Sequence, residues 1–292
     1  MACPPDGPHS GVITRFAPSP TGPLHLGHAF SAITAHDMAA AAGGTFLLRI
    51  EDIDQSRARP EWERQIFEDL SWLGLDWPTP VMRQSDRLSN YRTALDHLSA
   101  LGLTYACTCN RRDIREAASA PQEGAAPIGP DGIVYPGTCK DAGRDPEGAA
   151  IRLHIDRALE HIGPLHFDET GPQHTGRKEF SAEAMIDGIG DVVLARKDMG
   201  TSYHLAVVLD DAAQGVTHVV RGLDLFDATP IHVLLQRLLE LPTPIYHHHQ
   251  LIRDEAGKRL AKRDDARAIA AYRAEGHSPA EIRERLELTP AP

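Results

Sequence analysis

A short stretch near the N-terminus, "RFAPSPTGPLHLGH" (Arg15–His28), constrains the fold more than any other part of the sequence. The β-branched and apolar residues from Val12 to Phe16 predict a strand. The prolines that follow end this strand, and from about Gly27 the run "GHAFSAITAHDMAAAA" has the composition of a helix. A strand that breaks into a turn of small residues and then starts a helix offers backbone N–H groups to an anion. The sequence therefore predicts a phosphate-binding turn.

Strand and helix patterns alternate after this turn. The apolar run "TFLLRI" (Thr45–Ile50) predicts a strand that is buried on both faces. Amphipathic helices are predicted over Pro60–Gly74, where proline opens the first turn and glycine ends the pattern, and over Asp86–Leu101. Because alternating strands and helices form crossovers between parallel strands, the sequence predicts an α/β fold with a doubly wound parallel sheet.

This alternation is interrupted over residues 104–200, where glycine and proline are frequent and hydrophobic periodicity is weak. It returns with a helix over Tyr203–Gly215, a strand over Val216–Gly222 and a helix over Asp227–Pro242. We therefore predict one α/β domain that is interrupted by an insertion. Its parts are a flexible leader (1–11), a first half (12–103), an inserted subdomain (104–200), a second half (201–263) and a short helical tail (264–292).

Composition and charge limit the class of protein. Apolar residues make up 41% and charged residues 24% of the 292 residues, as in ordinary globular proteins. No apolar run approaches the roughly 20 residues of a membrane span, and the first residues do not resemble a secretory signal. We therefore predict a cytoplasmic protein that does not bind membranes. The net charge of −11 does not exclude nucleic acid, because local basic clusters such as Arg111–Arg115 decide that binding.

His25 and His28 add two imidazole groups to the predicted anion-binding turn. The residues around them match neither the G-x-x-x-x-G-K-[ST] phosphate loop nor the G-x-G-x-x-G dinucleotide motif. Taken alone, an H-x-x-H pair is more often a loop histidine followed by a histidine on the surface of a helix. The rest of the sequence decides between the two interpretations.

Several segments resemble class I aminoacyl-tRNA synthetases. The tetrapeptide "HLGH" is similar to their HIGH signature, and "RLAKR" (Arg259–Arg263) stands where their KMSKS signature is expected. The segments "RFAPSPTGPLHLGH", "LLRIEDID", "VTHVVRGLDL" and "YHHHQLIRDEAGKRLAKR" resemble the glutamyl-tRNA synthetase branch, in the same order along the chain. The resemblance implies a Rossmann-type catalytic domain with an insertion of the acceptor-binding type. It also implies ATP as a substrate, together with Mg²⁺.

Within this branch, the sequence resembles the glutamyl-Q tRNA(Asp) synthetase family. Glutamyl-tRNA synthetases continue into helical domains that bind the anticodon, whereas about 29 residues follow Arg263 here. The resemblance implies a monomeric ligase that activates L-glutamate and transfers it to the queuosine base at the wobble position of tRNA(Asp). Two alternatives remain. One is a minimal glutamyl-tRNA synthetase that charges the 3′ end of tRNA(Glu), and the other is a non-catalytic synthetase-like paralogue that binds RNA.

Activation joins a glutamate carboxylate to the α-phosphate of ATP, so positive groups that hold these like-charged reactants are expected to carry the catalysis. The resemblance gives this role to His25, His28 and Lys262, and it places Arg259 at the nucleotide as well. Ala261 replaces a serine of the signature and removes one hydroxyl group. The alternative for this basic cluster is a solvated loop.

A pocket that selects glutamate needs cations for the two carboxylates and an acid for the ammonium group. Arg15 and Arg221 lie on predicted strands, near the edge where doubly wound sheets bind ligands, although surface ion pairs are the alternative. The resemblance gives the ammonium group to Glu51, while a metal-binding or helix-capping "EDID" segment is the alternative. It also places in the pocket Phe16, Ala17, Pro18, Ser19 and Tyr203.

The insertion contains a candidate metal site. Cys107, Cys109 and Cys139 supply three thiolates, one ligand fewer than a structural zinc site needs. The resemblance implies one structural Zn²⁺ with Tyr135 as the fourth ligand, while His154 or water are alternatives. Three buried, reduced cysteines without a metal are a further alternative.

Three consecutive histidines, His247–His249, have the composition of a metal-binding tract. We favour a different interpretation, because the run follows a predicted strand. The resemblance implies that His249 lies beside the nucleotide.

Overall fold

The computed structural model describes residues 11–118, 127–252 and 267–288, in which short strands alternate with helices. The strands are β1 (Ile13–Phe16), β2 (Thr45–Ile50), β3 (Met82–Arg83), β4 (Thr104–Cys107), β5 (Ile128–Gly129), β6 (Gly132–Ile133), β7 (Ala150–Leu153), β8 (Leu165–Glu169), β9 (Gly176–Phe180), β10 (Val193–Ala195), β11 (His218–Gly222) and β12 (Ile245–His249). The helices are α1 (Leu26–Ala41), α2 (Pro60–Trp72), α3 (Leu88–Ala100), α4 (Arg111–Ala118), α5 (Ile155–His161), α6 (Ala182–Gly188), α7 (Tyr203–Ala213), α8 (Thr229–Leu238), α9 (Ile269–Ala274) and α10 (Pro279–Arg285). Two 3-10 helices precede α3 and α8 (Gln84–Arg87 and Leu223–Ala228).

Two groups of parallel strands form the central sheet. β1, β2 and β3 are neighbours in that order, with Ile13 opposite Thr45 in the first pair. β11 lies beside β1, where the Thr217 amide donates to the carbonyl of Ile13 at 2.9 Å. β11 then pairs in parallel with β12, and β12 pairs in parallel with β8. The order β3-β2-β1-β11-β12-β8 is a doubly wound arrangement, and the predicted α/β fold class is confirmed.

Part of the segment 104–200, predicted as an insertion, completes this sheet. β8 pairs with β12 through Tyr246 and Glu169, and β9 extends the edge as an antiparallel partner of β8. The rest of the segment forms an antiparallel sheet in the order β10-β7-β4 and the hairpin β5-β6. The predicted domain boundaries therefore stay a prediction, since β8 belongs to the sheet of the surrounding domain.

The predicted elements of the two halves have counterparts in the structure. β2 has the predicted bounds, and α1 begins one residue before the predicted Gly27. The helix predicted over Asp86–Leu101 is α3, preceded by the 3-10 turn. None of the helices within the described ranges is long and apolar enough to cross a membrane.

The two tail helices belong to the core of the first half. Ile269 of α9 and Ile282 of α10 are fully buried in the apolar cluster that α1, β2 and α2 share. The amide of Ile269 donates to the carbonyl of Leu24 at 2.9 Å, and Ala268 forms an isolated β-bridge with His25. At the other end of α1, Arg283 donates to both carboxylate oxygens of Asp37 at 2.6 and 2.9 Å. The tail therefore holds α1 at both ends.

The carboxyl ends of four parallel strands meet at one edge of the central sheet. These ends are Phe16 of β1, Ile50 of β2, Gly222 of β11 and His249 of β12. In open α/β sheets, ligands bind in the crevice outside this edge. The fold therefore places the predicted site residues of four separate segments around one crevice.

Candidate active site

A cavity of about 380 Å³ opens at this edge of the sheet, a size typical of small-molecule sites. Eight of the predicted site residues line it: Arg15, Phe16, Ala17, His25, His28, Glu51, Tyr203 and Arg221. The structure thus brings together side chains that are separated by up to about two hundred positions in the sequence.

Two predicted pocket residues lie outside the lining of this cavity. Pro18 is buried, and its carbonyl accepts the amide of Glu51 at 3.0 Å. Ser19 is exposed, and its carbonyl accepts the Thr21 amide at 2.8 Å. Both residues shape the turn after β1 through their backbone, because the turn must carry the chain past the end of β2.

The side chains of His25 and His28 cap the N-terminus of α1, because each of them accepts a backbone N–H group there. Nδ1 of His25 accepts the amide of Gly27 at 3.1 Å, and Nδ1 of His28 accepts the amide of His25 at 3.2 Å. The two rings lie 3.8 Å apart between centroids. Because Nδ1 of each neutral ring accepts a hydrogen bond, the proton of each ring is on Nε2. The helix N-terminus thus presents two imidazole donors together with its backbone dipole.

Arg15 shares a buried carboxylate with a second arginine. Its Nε and Nη2 atoms donate to Asp211 at 3.0 and 3.3 Å, and Nη1 donates to the carbonyl of Val220 at 3.2 Å. Asp211 also accepts from Arg49 at 2.7 Å. Three of the five N–H donors of Arg15 therefore have partners within the described residues, which leaves two donors for a ligand.

Glu51 is held by Arg49 from the same strand. The Arg49 side chain is fully buried and donates to the Glu51 carboxylate at 3.0 Å. Burial raises the pKa of Glu51, although the Arg49 and Arg15 guanidinium groups oppose this shift. The carboxylate is thus oriented toward the cavity by a cation that itself has no access to solvent. The sequence analysis gave no role to Arg49, although it lies in the segment "LLRIEDID", or to Asp211 on the predicted helix over Tyr203–Gly215.

Arg221 has a different environment from Arg15, because all its hydrogen-bond acceptors are neutral. Nε donates to Nε2 of His248 at 3.0 Å, and Nη1 donates to Nδ1 of His232 at 2.9 Å. Nη2 donates to the Thr229 hydroxyl at 2.8 Å and to the Leu225 carbonyl at 3.2 Å. Neither Arg221 nor Arg15 is a surface ion pair, since each side chain is only about 5% exposed. A buried cation without a directly bonded carboxylate is suited to an anionic ligand.

The cavity also has lining residues that the motif analysis did not place there. They include Ser31, Asp224 and Leu225. His249, which is expected beside the nucleotide, also lines the cavity. Its Nε2 atom lies 2.7 Å from the Ser31 hydroxyl oxygen. A Cβ atom at Gly222 would lie 2.4 Å from Oδ1 of Asp224, so a larger residue there would displace the Asp224 side chain. Arg259, Ala261 and Lys262 lie outside the described residues.

The three cysteines of the segment 104–200 lie close together, and none of them lines this cavity. Their sulfur atoms are within 4.8 Å of one another, and the cluster could hold a metal ion. The hydroxyl oxygen of Tyr135 lies 3.3 Å from Sγ of Cys107 and 3.4 Å from Sγ of Cys109, and it accepts the amide of Cys139 at 2.8 Å. Three sulfur atoms and one oxygen thus converge, which is the number of ligands that a tetrahedral site needs.

His154, an alternative fourth ligand, is not part of this cluster. Its ring packs against Tyr105, with centroids 4.5 Å apart. Within the described residues, the cysteines alone form a group of potential metal ligands with this spacing. Burial raises the pKa of the Cys139 thiol, but hydrogen bonds from Tyr135 and Thr108 together hold it at about 6. This cysteine therefore favours the thiolate form that binds metals.

Comparison with known proteins gives a consistent result. The family model for "tRNA synthetases class I (E and Q), catalytic domain" matches residues 11–290. A Glutamyl-Q tRNA(Asp) synthetase of Rhodobacter capsulatus is 67% identical over 282 residues, which cover 95% of this chain and 100% of that protein. One from Geobacter sulfurreducens is 42% identical, and the match covers 93% of this chain and 82% of that protein.

Solved structures of related enzymes share the fold. The glutamate–tRNA synthetase of Elizabethkingia anophelis matches with a TM-score of 0.72 and 25% sequence identity. That match covers 92% of this chain and 60% of the synthetase. A Mycobacterium tuberculosis methionyl-tRNA synthetase matches with a TM-score of 0.60 at 12% identity, a similarity of fold alone.

Proposed function

This chain belongs to the class I tRNA synthetases for glutamate and glutamine, whose catalytic domain it contains, and on that premise we propose that it is a glutamyl-Q tRNA(Asp) synthetase. It activates L-glutamate with ATP and transfers the glutamyl group to the queuosine base at the wobble position of tRNA(Asp). The observation that carries this proposal is the cavity itself, which is lined by a helix N-terminus with two histidines, by two buried arginines and by the partly buried Glu51. The extensive identity to a relative of that name supports the choice of tRNA.

Glutamate is recognised by opposite charges on the cavity wall. Arg221 binds a carboxylate of the substrate, because its acceptors among the described residues are neutral and none of them is a carboxylate. Arg15 contributes the donors that Asp211 and Val220 do not use. Glu51 accepts the substrate's ammonium group, and Tyr203 lines the space between them. Phe16 and Ala17 supply the apolar side of the pocket.

ATP binds at the N-terminus of α1. His25 and His28 donate from Nε2 to phosphate oxygens, whose negative charge increases as the glutamate carboxylate attacks the α-phosphate and pyrophosphate leaves. Mg²⁺ bound to the nucleotide would neutralise part of the phosphate charge. The expected roles of Arg259 and Lys262 at the nucleotide remain predictions from the sequence.

One structural Zn²⁺ is held by the thiolates of Cys107, Cys109 and Cys139, with the Tyr135 oxygen completing the site. The convergence of these four atoms supports this ligand set, although burial raises the pKa of Tyr135, so that a bound metal would have to displace the phenol proton. The ion would fix the start of α4, which begins two positions after Cys109.

The tRNA is held through its phosphates by basic residues near the zinc site. Arg111, Arg112 and Arg115 are exposed on α4, although Arg112 also pairs with Glu116 at 2.6 Å. A base at the wobble position can be splayed from its neighbours and inserted into the cavity. Affinity that rests on a few phosphate contacts falls steeply with salt. Cytoplasmic location and a monomeric state remain predictions from the sequence.

Substrate fragments test this proposal. An anticodon stem-loop that carries queuosine is expected to accept labelled glutamate, whereas an acceptor-stem minihelix is not. Labelling of the minihelix without labelling of the stem-loop would favour a minimal glutamyl-tRNA synthetase. Glutamate-dependent exchange between pyrophosphate and ATP is expected without tRNA, and its complete absence would favour a non-catalytic paralogue.

A further inference from the structure

Arg221 is connected to two carboxylates through histidine rings. Its Nε atom donates to His248, whose Nδ1 atom lies within hydrogen-bond distance of the buried Glu169 carboxylate. Since Nε2 of His248 accepts from the guanidinium, the ring proton is on Nδ1 and is donated to Glu169. This short connection is buried along its whole length, with each of the three residues 5% exposed or less.

A second, longer connection starts at Nη1 of the same guanidinium. Nη1 lies 2.9 Å from Nδ1 of His232, whose Nε2 atom lies 3.0 Å from Nδ1 of His204. Nε2 of His204 then lies 2.9 and 3.0 Å from the two carboxylate oxygens of Asp131. The guanidinium can only donate, so Nδ1 of His232 accepts. Each ring then donates from Nε2 to the next group, and the whole chain of protons is ordered from Arg221 to Asp131.

The two ends of this second connection lie in different environments. His232 and His204 are 2% and 6% exposed, beside the buried guanidinium. The Asp131 side chain is 52% exposed, at the turn of the β5-β6 hairpin. The hairpin belongs to the segment 104–200, so a residue on that segment is linked to the cavity of the central sheet.

We propose that His232, His204 and Asp131 are positioning residues that fix the orientation of Arg221 for the substrate carboxylate, with Asp131 as the outer anchor. This inference rests on the proposed function, because it assumes that Arg221 binds glutamate. Four of the five N–H donors of Arg221 already have partners, so one N–H of Nη1 remains for the substrate carboxylate, and its direction is set by the plane of the guanidinium. The two histidine connections restrain that plane from two sides, through Nε and through Nη1.

A neutral His232 ring also preserves the hydrogen bond from Arg221. Protonation of His232 at Nδ1 would remove the acceptor of Arg221 and place two positive charges side by side. Burial, followed by the charge of Arg221, holds the pKa of His232 well below its ordinary value. The ring therefore stays neutral and accepting when the site works.

Asp131 allows a test that does not disturb the core, because its side chain is half exposed. Asp131→Ala is expected to raise the KM for glutamate about threefold to tenfold in pyrophosphate exchange, while the KM for ATP stays within about twofold. Asp131→Asn retains an oxygen acceptor for His204 and should stay close to wild type. Asp96→Ala, a matched change at an exposed position of α3, should have no effect. An unchanged glutamate KM in Asp131→Ala, or an equal rise for ATP, would overturn the proposal.

His232 provides a second pair of variants. The amide of His232→Gln can accept from Arg221 and donate to His204, so it should restore most of the glutamate affinity that His232→Leu loses. Circular dichroism and melting temperature separate folding from positioning in both variants. Equal glutamate affinity in two folded variants would contradict the assignment of His232.

The hydrogen-bonded connection from Arg221 through His232 and His204 to Asp131, called the relay below, can be tested without an activity assay. Nitrogen-15 NMR of labelled histidines should show His232 and His204 with the ring proton on Nε2 and an accepting Nδ1. The signals can be assigned from the two glutamine variants, His232→Gln and His204→Gln. A protein that lacks glutamate-dependent exchange would refute the proposed function, whereas the Nδ1-protonated form of either ring in an active protein would refute the relay.

Discussion

The imidazole of His28 accepts the backbone N–H of His25 at 3.2 Å, while the ring of His25 accepts the amide of Gly27. Each histidine of the pair thus performs the task that serine and glutamate perform in an ordinary capping box. The same bonds leave Nε2 of each ring as the protonated nitrogen. Helix formation and ligand binding are therefore assigned to different atoms of the same side chains.

This division of roles can be separated by substitution. His25→Asn keeps a side-chain acceptor for the Gly27 amide, so folding should be nearly unchanged. The variant has no group at the position of Nε2. Pyrophosphate exchange should fall about 10²-fold or more, as for the loss of one donor to a developing negative charge. His25→Ala should lose a similar activity and also about 1 kcal/mol of stability. A fully active His25→Asn variant would show that the ring acts only as a cap.

The two arginines of the cavity should respond differently to removal. Arg221→Met is expected to lower kcat/KM for glutamate about 10²- to 10⁴-fold, because a buried cation that meets the substrate carboxylate is lost. Its melting temperature should fall less than that of Arg15→Met, because neutral acceptors lose a hydrogen bond but no carboxylate in the described residues loses a direct partner.

Arg15→Met should instead lower both glutamate activation and the melting temperature. The reason is that Asp211, which is 7% exposed, would keep only Arg49 as an ion-pair partner. Thermal unfolding of the two variants, measured beside pyrophosphate exchange, distinguishes the roles. Equal losses of stability in both variants would be inconsistent with this account.

Asp69 makes stability depend on pH. Its side chain is fully buried in α2, neither oxygen has a hydrogen-bond partner within the described residues, and Arg273 lies 3.6 Å away. Burial raises the pKa of Asp69 to about 6. The folded state then binds the proton more tightly than the unfolded chain, so the contribution of Asp69 is most favourable at low pH and is lost as the pH rises through about 6.

Asp69→Asn should therefore stabilise the protein near pH 7.5, by at most about 3 kcal/mol, with a smaller gain near pH 5. Urea unfolding of both proteins at the two pH values measures this difference. Asp96→Asn on the exposed face of α3 is the control. A variant that is less stable than wild type at the higher pH would refute the prediction.

The cysteine cluster should hold one zinc ion per chain. Cys109→Ser should lower the zinc content of the purified protein and weaken the protection of α4 and the β5-β6 hairpin against hydrogen exchange. Removal of the metal from the wild-type protein by a chelator should have the same local effect. Wild-type protein that contains no metal and is fully active would rule out the site.

The sequence predicted the fold well where local patterns suffice. The bounds of β2 are those of an apolar run that follows two glycines, and α2 begins at its predicted proline. The strands of the segment 104–200 were not predicted individually, because β5, β6 and β10 contain only two or three residues. β8 joins the central sheet through a partner more than seventy positions away, which no local period reveals.

The candidate site shows the same division. His25, His28 and Glu51 were placed by motifs of neighbouring residues, and the structure locates them around the cavity. The relay of His232, His204 and Asp131 was missed, because its members are 28 and 73 positions apart. Arg49 was missed because an arginine inside a strand has no distinctive spacing. Only the folded sheet shows that its charge is shared by two carboxylates.

The attachment of the tail to both ends of α1 has a consequence for biosynthesis. The core around α1 includes Ile269 and Ile282, which are synthesised more than two hundred residues after this helix. Such non-local contacts slow folding, and the incomplete chain exposes apolar surface meanwhile. The first half of the nascent chain therefore cannot complete its native core before the tail has been synthesised. Until residues 267–288 emerge, the apolar face of α1 stays exposed, and it can bind a chaperone or aggregate with other chains.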